Sequence, residues 1–459
     1  MEMLPTADPN ARPMSGTNGT LIRSCLVAAL GSLLFGFDTA VISGTTEQLR
    51  SVFALNANLL GFTVSSALIG TLFGALAIGK PAERWGRRPV LFVLAALFVI
   101  ASFGCAFAWN WHALVFFRWL GGVAVGGASV VSPMYITEIA PPARRGVLVA
   151  ISQLNIVLGI LIAYLSNYLI VSVLGPDAAD AWRWMFGMMA IPSLAFLATV
   201  LTLPESPRWL VRRNRHDEAK RVLTRLGHDQ PESEVAEIAA SMQPSASGKP
   251  TRLWQKKHMK PLLLAFMIAA FNQLDGINAI LYYTTDIFRM AGASKTSAFS
   301  QSVLIGLANL IMTVAAMAVI DRLGRKALLL IGSITFVASH LLAAWVFHTH
   351  ASGWIVIAAL IGIVGSHAYS QGAVVWVYIN EILPNSIRAP GSAAACFLMW
   401  TLCALVSWSF PVLAAASMVA PFLFFACMMV LQFVLVWFFL PETKGVSLEA
   451  LQIKLYNSK

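Results

Sequence analysis

Charged residues are scarce in this 459-residue chain. Asp, Glu, Lys and Arg together make up 12% of it, against 58% hydrophobic residues, and the mean hydropathy is +0.72. A soluble globular domain carries about a quarter of its residues as charges, so this chain has too little polar surface to coat one. The composition excludes a soluble domain and predicts an integral membrane protein.

Cysteine is also sparse, and its positions exclude two further classes of protein. The five cysteines lack the paired spacing of a metal site or of a disulfide framework. We therefore predict that they are small apolar side chains and that the chain holds no metal. The sequence also shows no nucleophile–base set and no phosphate-binding loop, which argues against an enzyme. The cysteines, all within apolar runs, are Cys25, Cys105, Cys396, Cys403 and Cys427.

Long apolar runs dominate what is present. A helix of about 20 residues crosses roughly 30 Å of hydrocarbon, and isolated strands would leave backbone groups unsatisfied in lipid. The sequence therefore predicts an all-α integral membrane protein with twelve transmembrane helices. The approximate limits are 21–44, 59–79, 89–109, 112–137, 146–170, 183–203, 260–287, 297–320, 327–347, 354–381, 389–412 and 419–440.

Lys and Arg in the short loops give the orientation. Those on one side are Lys80, Arg84, Arg87, Arg88, Arg144, Arg145, Arg322, Arg325, Lys326 and Arg388, whereas the other side carries only Arg50, Arg183, Arg289 and Lys295. Because cytoplasmic loops are enriched in these residues, both termini are predicted to be cytoplasmic. The net charge of +11 then reflects topology and not nucleic-acid binding. We expect a multi-pass protein of a bacterial inner or plasma membrane.

One long polar interruption divides the chain into two halves. Residues 216–242 show the 3.6-residue alternation of short amphipathic helices, and residues 243–251, rich in Ser, Pro and Gly, predict a loose linker. The polar N-terminal stretch lacks the features of a cleavable signal. The predicted organisation is a cytoplasmic tail at 1–20, a six-helix bundle at 21–210, a cytoplasmic helical linker domain at 211–259, a second six-helix bundle at 260–440 and a cytoplasmic tail at 441–459.

The two halves repeat each other. ERWGRR at 83–88 matches DRLGRK at 321–326, Glu138-Ile-Ala-Pro with Arg145 matches Glu381-Ile-Leu-Pro with Arg388, and Pro204-Glu-Ser matches Pro441-Glu-Thr. The copies follow in the same order at almost constant spacing. A duplicated six-helix unit accounts for all three pairs.

These motifs resemble those of the sugar porter family of the major facilitator superfamily. The resemblance also rests on FGFDTAVISGT at 35–45, PMYITEIAPPARRG at 133–146, PESPRWL at 204–210, NQLDGINAILYY at 272–283 and PETKG at 441–445. Within the family the motifs are most like those of bacterial xylose–proton symporters, with facilitative glucose transporters more distant. The resemblance implies a pseudo-symmetric major facilitator fold whose two bundles rock about a central monosaccharide site, with no cofactor beyond the coupling proton. It leaves a facilitative uniporter and a non-transporting sugar sensor open as alternatives.

The repeated charged loops are candidates for a cytoplasmic gate. Carboxylates beside guanidinium groups at helix ends can hold those ends together when that side is closed. Alternatively, the basic residues only fix topology and contact anionic lipid. Two positions depart from the family pattern, Glu83 in place of Asp and Ala389 in place of Gly. By resemblance, the gate residues are Glu83, Arg84, Arg87, Arg88, Glu138, Arg145, Glu205, Arg208, Asp321, Arg322, Arg325, Glu381 and Arg388.

A sugar site needs several neutral hydrogen-bonding groups and one or two aromatic faces. The seventh span supplies Asn272, Gln273, Asn278, Tyr282 and Tyr283, too many polar groups for a lipid-facing helix. By resemblance they are joined by Gln153, Asn309 and Trp376, with Phe35 and Trp400 as apolar walls. Asn272, Ile160 and Met399 stand where relatives carry Gln, which leaves the identity of the sugar open between a hexose such as glucose and xylose.

Asp38 lies in the apolar run 25–44, where a carboxylate must hold a proton or face a cation. Arg118 is the strongly basic residue of the fourth span and cannot shed its proton, so Asp38 is its natural counter-charge. In resembling symporters this pair couples sugar to protons, and facilitative relatives carry Asn at the aspartate position. The resemblance therefore favours proton symport, and the alternative is a static salt bridge.

Three further ionisable residues lie in or near the spans. Asp275 is predicted either to line the cavity, as a sugar acceptor or second proton site, or to hydrogen-bond across helices while permanently protonated. His340 and His367 have no acid beside them in the sequence, and we interpret them as packing or hydrogen-bonding residues and not as proton carriers. The expected partners of the protein are a sugar and membrane lipid, with no nucleic acid and a functional monomer.

Overall fold

The computed structural model describes residues 18–141, 144–242, 253–351, 353–384 and 386–444. Within these ranges the chain forms α-helices and one short 3₁₀ helix, Ile42–Gly44, and no strand. The α-helices are α1 Gly19–Val41, α2 Thr46–Val52, α3 Ala57–Ala77, α4 Gly79–Trp85, α5 Arg87–Ala106, α6 Trp111–Ile139, α7 Arg145–Leu174, α8 Ala181–Met188, α9 Ala190–Val200, α10 Pro207–Arg212, α11 His216–Leu226, α12 Pro231–Ser241, α13 Lys256–Leu274, α14 Ile277–Tyr282, α15 Thr284–Met290, α16 Lys295–Leu323, α17 Arg325–Thr349, α18 Gly353–Tyr369, α19 Gln371–Ile382, α20 Arg388–Ala416 and α21 Val419–Phe439.

Twelve of the described segments are long and apolar enough to cross a membrane, which confirms the all-α, twelve-helix prediction. They are Gly19–Gly44, Ala57–Ala77, Arg87–Ala106, Trp111–Ile139, Gly146–Leu174, Ala181–Val200, His258–Tyr282, Lys295–Ala318, Arg325–Thr349, Gly353–Ile382, Arg388–Ala416 and Val419–Phe439. We call the first six spans the N-terminal half and the last six the C-terminal half. The predicted linker at 243–251 lies outside the described residues, as do residues 1–17 of the N-terminal tail and the chain after residue 444.

Two spans of the C-terminal half are interrupted. α13 and α14 are separated by Asp275 and Gly276, and Gly276 has a φ of +79°, a left-handed conformation that glycine adopts without a steric penalty. α18 and α19 are separated at Ser370, whose φ and ψ of −107° and −89° lie outside the helical region. Broken spans expose backbone polar groups at membrane depth, where proteins place them only inside the bundle or against a cavity.

The sequence repeat is also a structural repeat. In the N-terminal half, the Tyr135 hydroxyl donates to the carbonyl of Pro204 at 2.8 Å. In the C-terminal half, the matching Tyr378 hydroxyl donates to the carbonyl of Pro441, also at 2.8 Å. Both tyrosines are buried, so each fixes the end of its half to the chain that leaves it. Equivalent residues make equivalent contacts, as a duplicated unit requires.

The halves meet at the end of the spans opposite the repeated charged loops. We call the end with those loops the basic end and the opposite one the far end. At the far end, Trp408 of α20 donates to Asn58 in the first turn of α3 through its indole nitrogen at 2.8 Å. Gly61 of α3 lies so near α20 that a Cβ there would be 2.1 Å from the backbone oxygen of Trp408. The far end is therefore closed by direct helix contact.

Gly61→Ala should hold the far end open. A methyl carbon cannot lie 2.1 Å from a backbone oxygen. α3 and α20 must therefore separate to make room for it. We expect the transport that the sequence resemblance implies to fall about tenfold, the effect of a conformational bias of about 1.4 kcal/mol. Spin labels at Ser51 and Thr296 should report a longer distance than in the unmodified chain. Gly353→Ala is the matched control, because nothing lies within 4 Å of a Cβ at that position, and equal distances in both variants would contradict the prediction.

Candidate functional site

Asp38 on α1 and Arg118 on α6 lie side by side, as the sequence predicted for the partner of Arg118. Nη1 of Arg118 is 3.7 Å from Oδ1 of Asp38. Burial differs between them: the arginine side chain is 1% exposed and that of the aspartate 12%. The acid is therefore the member of the pair that water can reach.

Other contacts hold Arg118 in place. Its Nε donates to the carbonyl of Thr63 on α3 at 3.1 Å, and its guanidinium carbon lies 5.6 Å from the centre of the Phe186 ring. Within the described part of the chain, Nη1 has no hydrogen-bond partner. The ion pair with Asp38 is thus a contact without a hydrogen bond, which a small helix movement can tighten or break.

α1 approaches α7 closely at the residue between Phe35 and Phe37. A Cβ on Gly36 would be 1.8 Å from the backbone oxygen of Ile156, so only glycine fits there. This contact fixes the depth of Asp38, two residues further along α1. It also places Phe35 at the interior, where its ring centre lies 5.6 Å from that of Trp400 on α20. The two predicted apolar walls therefore meet across the halves.

The amides of the seventh span form a chain at the break between α13 and α14. Nδ2 of Asn278 donates to Oε1 of Gln273 at 2.7 Å, and Nε2 of Gln273 donates to Oδ1 of Asn272 at 2.8 Å. Asn272 and Gln273 are buried, whereas Asn278 is partly exposed. These two hydrogen bonds fix which amide atoms remain available to a ligand.

The remaining predicted sugar residues are two tyrosines of the seventh span and three residues on other helices. Tyr283 belongs to the packing of α20, because its hydroxyl donates to the carbonyl of Ser407 at 3.0 Å and its ring stacks on Phe410. Tyr282 is buried and within electrostatic range of Asp38. The other three lie on separate helices: Gln153 on α7 is half-buried, Asn309 on α16 is 7% exposed and Trp376 on α19 is 44% exposed.

Loss of the Asn278 amide should weaken sugar binding. In Asn278→Ala, Gln273 loses the donor that orients its amide. We expect KM to rise about fivefold to tenfold with little change in maximal rate, since one hydrogen bond contributes about 1 kcal/mol. Labelled-sugar uptake measures both parameters. Asn155→Ala is the control, because that amide donates to the Ile151 carbonyl of its own helix. A KM unchanged in both variants would remove Asn278 from the site.

His367 is a hydrogen-bonding residue, and its partner is an acid that is not adjacent to it in the sequence. Nδ1 of His367 on α18 is 2.7 Å from Oδ2 of Asp275, and Asp275 has no exposed surface. Nε2 of His340 on α17 donates to the backbone carbonyl of Asp275 at 2.9 Å. Asp275 therefore hydrogen-bonds across helices. The helix break at Gly276 turns its side chain toward a histidine 92 positions away, which sequence adjacency could not reveal.

The repeated charged loops form one network in each half. At the basic end Arg87 pairs with Glu138 at 2.7 Å, and Arg325 pairs with Glu381 at 3.3 Å. Glu205 accepts from the backbone N–H groups of Arg87 and Arg88. In the same way, Glu442 accepts from the N–H groups of Arg325 and Lys326, at 3.0 Å each. The two acids after the last span of each half thus cap the first turns of α5 and α17.

The two capping acids differ in pKa. Burial raises the pKa of Glu205 above its ordinary value, although the backbone N–H groups of Ser206, Arg87 and Arg88 act in the opposite direction. Burial also acts to raise the pKa of Glu442, but backbone N–H groups including those of Lys444 and Arg325 together hold it below its ordinary value. The cap in the C-terminal half therefore keeps its charge to lower pH.

The other predicted gate residues form an exposed ion pair or contact backbone carbonyls. Arg212 pairs with Glu83 at 3.3 Å, the Arg84 carbonyl accepts from Arg213, and Arg388 donates to the Leu383 carbonyl at 3.3 Å. Arg208 and Arg88 are exposed. The side chains of Arg145, Asp321 and Arg322 lie outside the described part of the structure. The gate ion pairs described here join residues of the same half.

Ion pairs between the halves lie at the far end, and the sequence did not predict them. Glu47 on α2 pairs with Arg289 at 3.6 Å and with Lys295 at 3.3 Å, and Lys295 also pairs with Asp177 at 2.8 Å. A hydrogen bond from Lys295 and its charge lower the pKa of Asp177. Ser43 and Thr285 are hydrogen-bonded beneath them at 2.9 Å. The far end is therefore closed by polar contacts as well as by helix packing.

Comparison with known proteins agrees with this arrangement. The family model described as "Sugar (and other) transporter" matches residues 24–455. The chain is 38% identical over 467 residues to the D-xylose-proton symporter of Escherichia coli (strain K12), covering 93% of this chain and 94% of the relative. It is 36% identical over 436 residues to the glucose transporter GlcP of Staphylococcus epidermidis, covering 94% and 96%.

A solved structure gives the same result for the fold. The inward-open conformation of the xylose transporter XylE from E. coli matches with a TM-score of 0.83 and 35% identity, over 95% of this chain and 99% of that one. A family model spanning most of the sequence, relatives similar over their full lengths and a shared helical architecture agree with one another. The chain is a multi-pass membrane transporter that belongs to the sugar transporter family of the major facilitator superfamily.

Proposed function

We propose that this protein imports a monosaccharide together with a proton. The observation that carries the proposal is the Asp38–Arg118 contact at 3.7 Å, in which only the acid has access to water. The amide chain of the seventh span and the Phe35–Trp400 pair provide the neutral donors, acceptors and ring faces that a sugar requires. Relatives named for xylose–proton symport and for glucose transport support this class of substrate.

Arg118 would determine in which conformation of the transporter Asp38 holds a proton. A guanidinium near the carboxylate stabilises its charged form, whereas the apolar surroundings favour the neutral acid. A conformational change that separates the two side chains lets Asp38 bind a proton, and one that brings them together expels it. Tyr282 of the seventh span is within electrostatic range of Asp38, which supports a link between the sugar residues and the acid.

Alternating access follows from where the halves touch. The far-end contacts and the within-half pairs at the basic end suit a state open at the basic end, as does the similarity to an inward-open structure. By the charge rule for short loops, the basic end is cytoplasmic, with both termini on that side. The halves, residues 21–210 and 260–440, then rock about the sugar residues, with residues 211–259 as a cytoplasmic linker domain. The unit of transport is a single chain in lipid.

Opening the far end requires the Glu47 and Lys295 contacts to break. At the same time, the charged loops of the two halves come together at the basic end. The network of Arg87, Glu138, Arg325 and Glu381 then serves as the cytoplasmic gate. The far-end pair of Glu47 and Lys295 is partly exposed, and such pairs contribute about 1 kcal/mol or less each, so the far end is not too stable to reopen.

Purified protein in liposomes tests the proposal. A panel of labelled pentoses and hexoses is offered with and without a proton gradient directed into the vesicles. We expect at least one monosaccharide to accumulate above equilibrium only when the gradient is present. A facilitative uniporter would equilibrate the sugar without accumulation, and a sensor would bind sugar without moving it.

A further inference from the structure

A second buried ionisable pair lies in the C-terminal half. Oδ2 of Asp275 is 2.7 Å from Nδ1 of His367. Asp275 lies at the break between α13 and α14, and His367 lies one turn before the break at Ser370 between α18 and α19. The pair therefore bridges the two interrupted spans of this half.

Asp275 is fixed by its other contacts. Its Oδ1 accepts from the backbone N–H of Ile277 at 3.0 Å, at the start of α14. Its carbonyl accepts from Nε2 of His340 at 2.9 Å. The side chain has no exposed surface, so neither carboxyl oxygen is open to a sugar or to water. Among the described residues, His367 is the titratable side chain that is hydrogen-bonded to this carboxyl group.

His340 cannot be that proton carrier. Because Nε2 carries the hydrogen donated to the Asp275 carbonyl, Nδ1 of the neutral ring carries none, and among the described residues Nδ1 has no partner. Phe336 stacks on the ring at 6.0 Å and Phe425 lies at 5.5 Å. A proton on Nδ1 would bury an N–H group without an acceptor in this aromatic shell. His340 thus positions Asp275 and stays neutral.

His367 has the access that Asp275 lacks. Its side chain is 20% exposed while that of the acid is 0% exposed. Its ring lies over Gly372, where a Cβ would be 3.2 Å from Nε2 and 3.1 Å from Cδ2. Gly372 is in the first turn of α19, and Trp376 follows one turn later. The imidazole therefore reaches from the buried acid to the half-helix that carries Trp376.

We propose that Asp275 and His367 form a second proton-binding site, which exchanges its proton with water through Nε2 of His367. With the proton bound, the imidazolium and the carboxylate are paired and the net charge of the site is zero. When Nε2 releases its proton, Nδ1–H still donates to Oδ2, and the site has one uncompensated negative charge in the bundle interior. That charge is unfavourable there, so the bridge between the two interrupted spans is weakened.

The other titratable groups near this site are few and chemically distinct. His340 contacts it from α17 through a backbone carbonyl. The Cys403 thiol on α20 lies within electrostatic range of Asp275. Asp38 and Arg118 of the N-terminal half interact with Tyr282, seven residues after Asp275. Removing Asp38 by mutation therefore removes the acid of the N-terminal half that is proposed to bind the coupling proton and leaves the Asp275–His367 pair in place.

Sugar exchange in an Asp38→Asn background tests the second site. The inference rests on the proposed sugar exchange but not on Asp38 as the coupling acid. Exchange of labelled for unlabelled sugar is measured in liposomes at equal internal and external pH, from about pH 6 to about pH 9. We expect exchange by Asp38→Asn to fall about tenfold per pH unit once the pair loses its proton. Exchange by Asp38→Asn with His367→Asn should vary less than about twofold, because an isolated Asp275 keeps its proton.

His348→Gln in the same background is the matched control, since it removes an exposed histidine at the end of α17, and it should follow Asp38→Asn. A flat pH profile in Asp38→Asn, or the same fall with His367→Asn, overturns the second site. If the double variant exchanges no sugar, the affinity for sugar is measured in detergent over the same pH range. An affinity that falls with pH in Asp38→Asn but not in the double variant supports the second site, and any other result overturns it. Failure of the proposed function would appear separately, as equilibration of the sugar without gradient-driven accumulation by the unmodified chain.

Discussion

Asp38→Asn is expected to abolish gradient-driven sugar accumulation while leaving sugar exchange measurable. The asparagine keeps the size and hydrogen-bonding capacity of the side chain but cannot bind or release a proton. Under a pH difference of one unit, coupling to one proton allows accumulation of up to about tenfold, and the variant should reach only equilibrium. Exchange needs the sugar site and the rocking of the halves but no net proton movement. Liposomes loaded for accumulation and for exchange measure the two activities on the same preparation.

Asp217→Asn is the control for this variant. It makes the same chemical change on α11, where the side chain is exposed, and it should accumulate sugar like the unmodified chain. Accumulation by Asp38→Asn at the unmodified level would show that another group carries the coupling proton. Loss of exchange together with accumulation would instead show that Asp38 is needed for folding or for sugar binding, and the coupling role would then lose its support.

The contacts that sequence reasoning found are those with a chemical necessity behind them. Arg118 cannot be neutral in hydrocarbon, so its span had to meet an acid, and Asp38 was the candidate in the same half. The matched positions of Glu138 and Glu381 likewise indicated paired roles. Glu138 contacts Arg87 at the start of α5, and Glu381 contacts Arg325 at the start of α17. Hydropathy alone was sufficient for the twelve spans, because each must cross the same thickness of lipid.

The contacts that sequence reasoning missed depend on where helices break and on which conformation the chain adopts. Gly276 turns Asp275 toward His367, and no spacing rule for a continuous helix anticipates that direction. Glu47, Asp177 and Lys295 meet only because the far end is closed. From sequence, Lys295 was informative only as a topology marker. Burial of Tyr283 against α20 was equally hidden, since a tyrosine in a polar segment fits a sugar site and a packing role alike.

Arg118→Met should also abolish accumulation, and the double variant should show that it acts through Asp38. Methionine fills much of the same volume without charge, so Asp38 loses its counter-charge and is expected to keep a proton throughout the cycle. Accumulation should fall to equilibrium while exchange continues. In Asp38→Asn, by contrast, the guanidinium of Arg118 stays buried without a carboxylate, which typically costs about 3–5 kcal/mol of stability.

Asp38→Asn combined with Arg118→Met removes both charges and should therefore be more stable than Asp38→Asn alone. We expect its thermal unfolding midpoint to lie several degrees higher, since about 1 kcal/mol corresponds to a few degrees in a protein of this size. Its exchange rate should equal or exceed that of Asp38→Asn. Arg118→Lys, which retains a charge but not the guanidinium that donates to Thr63, should retain part of the accumulation. A double variant less stable than Asp38→Asn, or full accumulation by Arg118→Met, would mean that the two charges are not coupled, because independent sites would show additive effects.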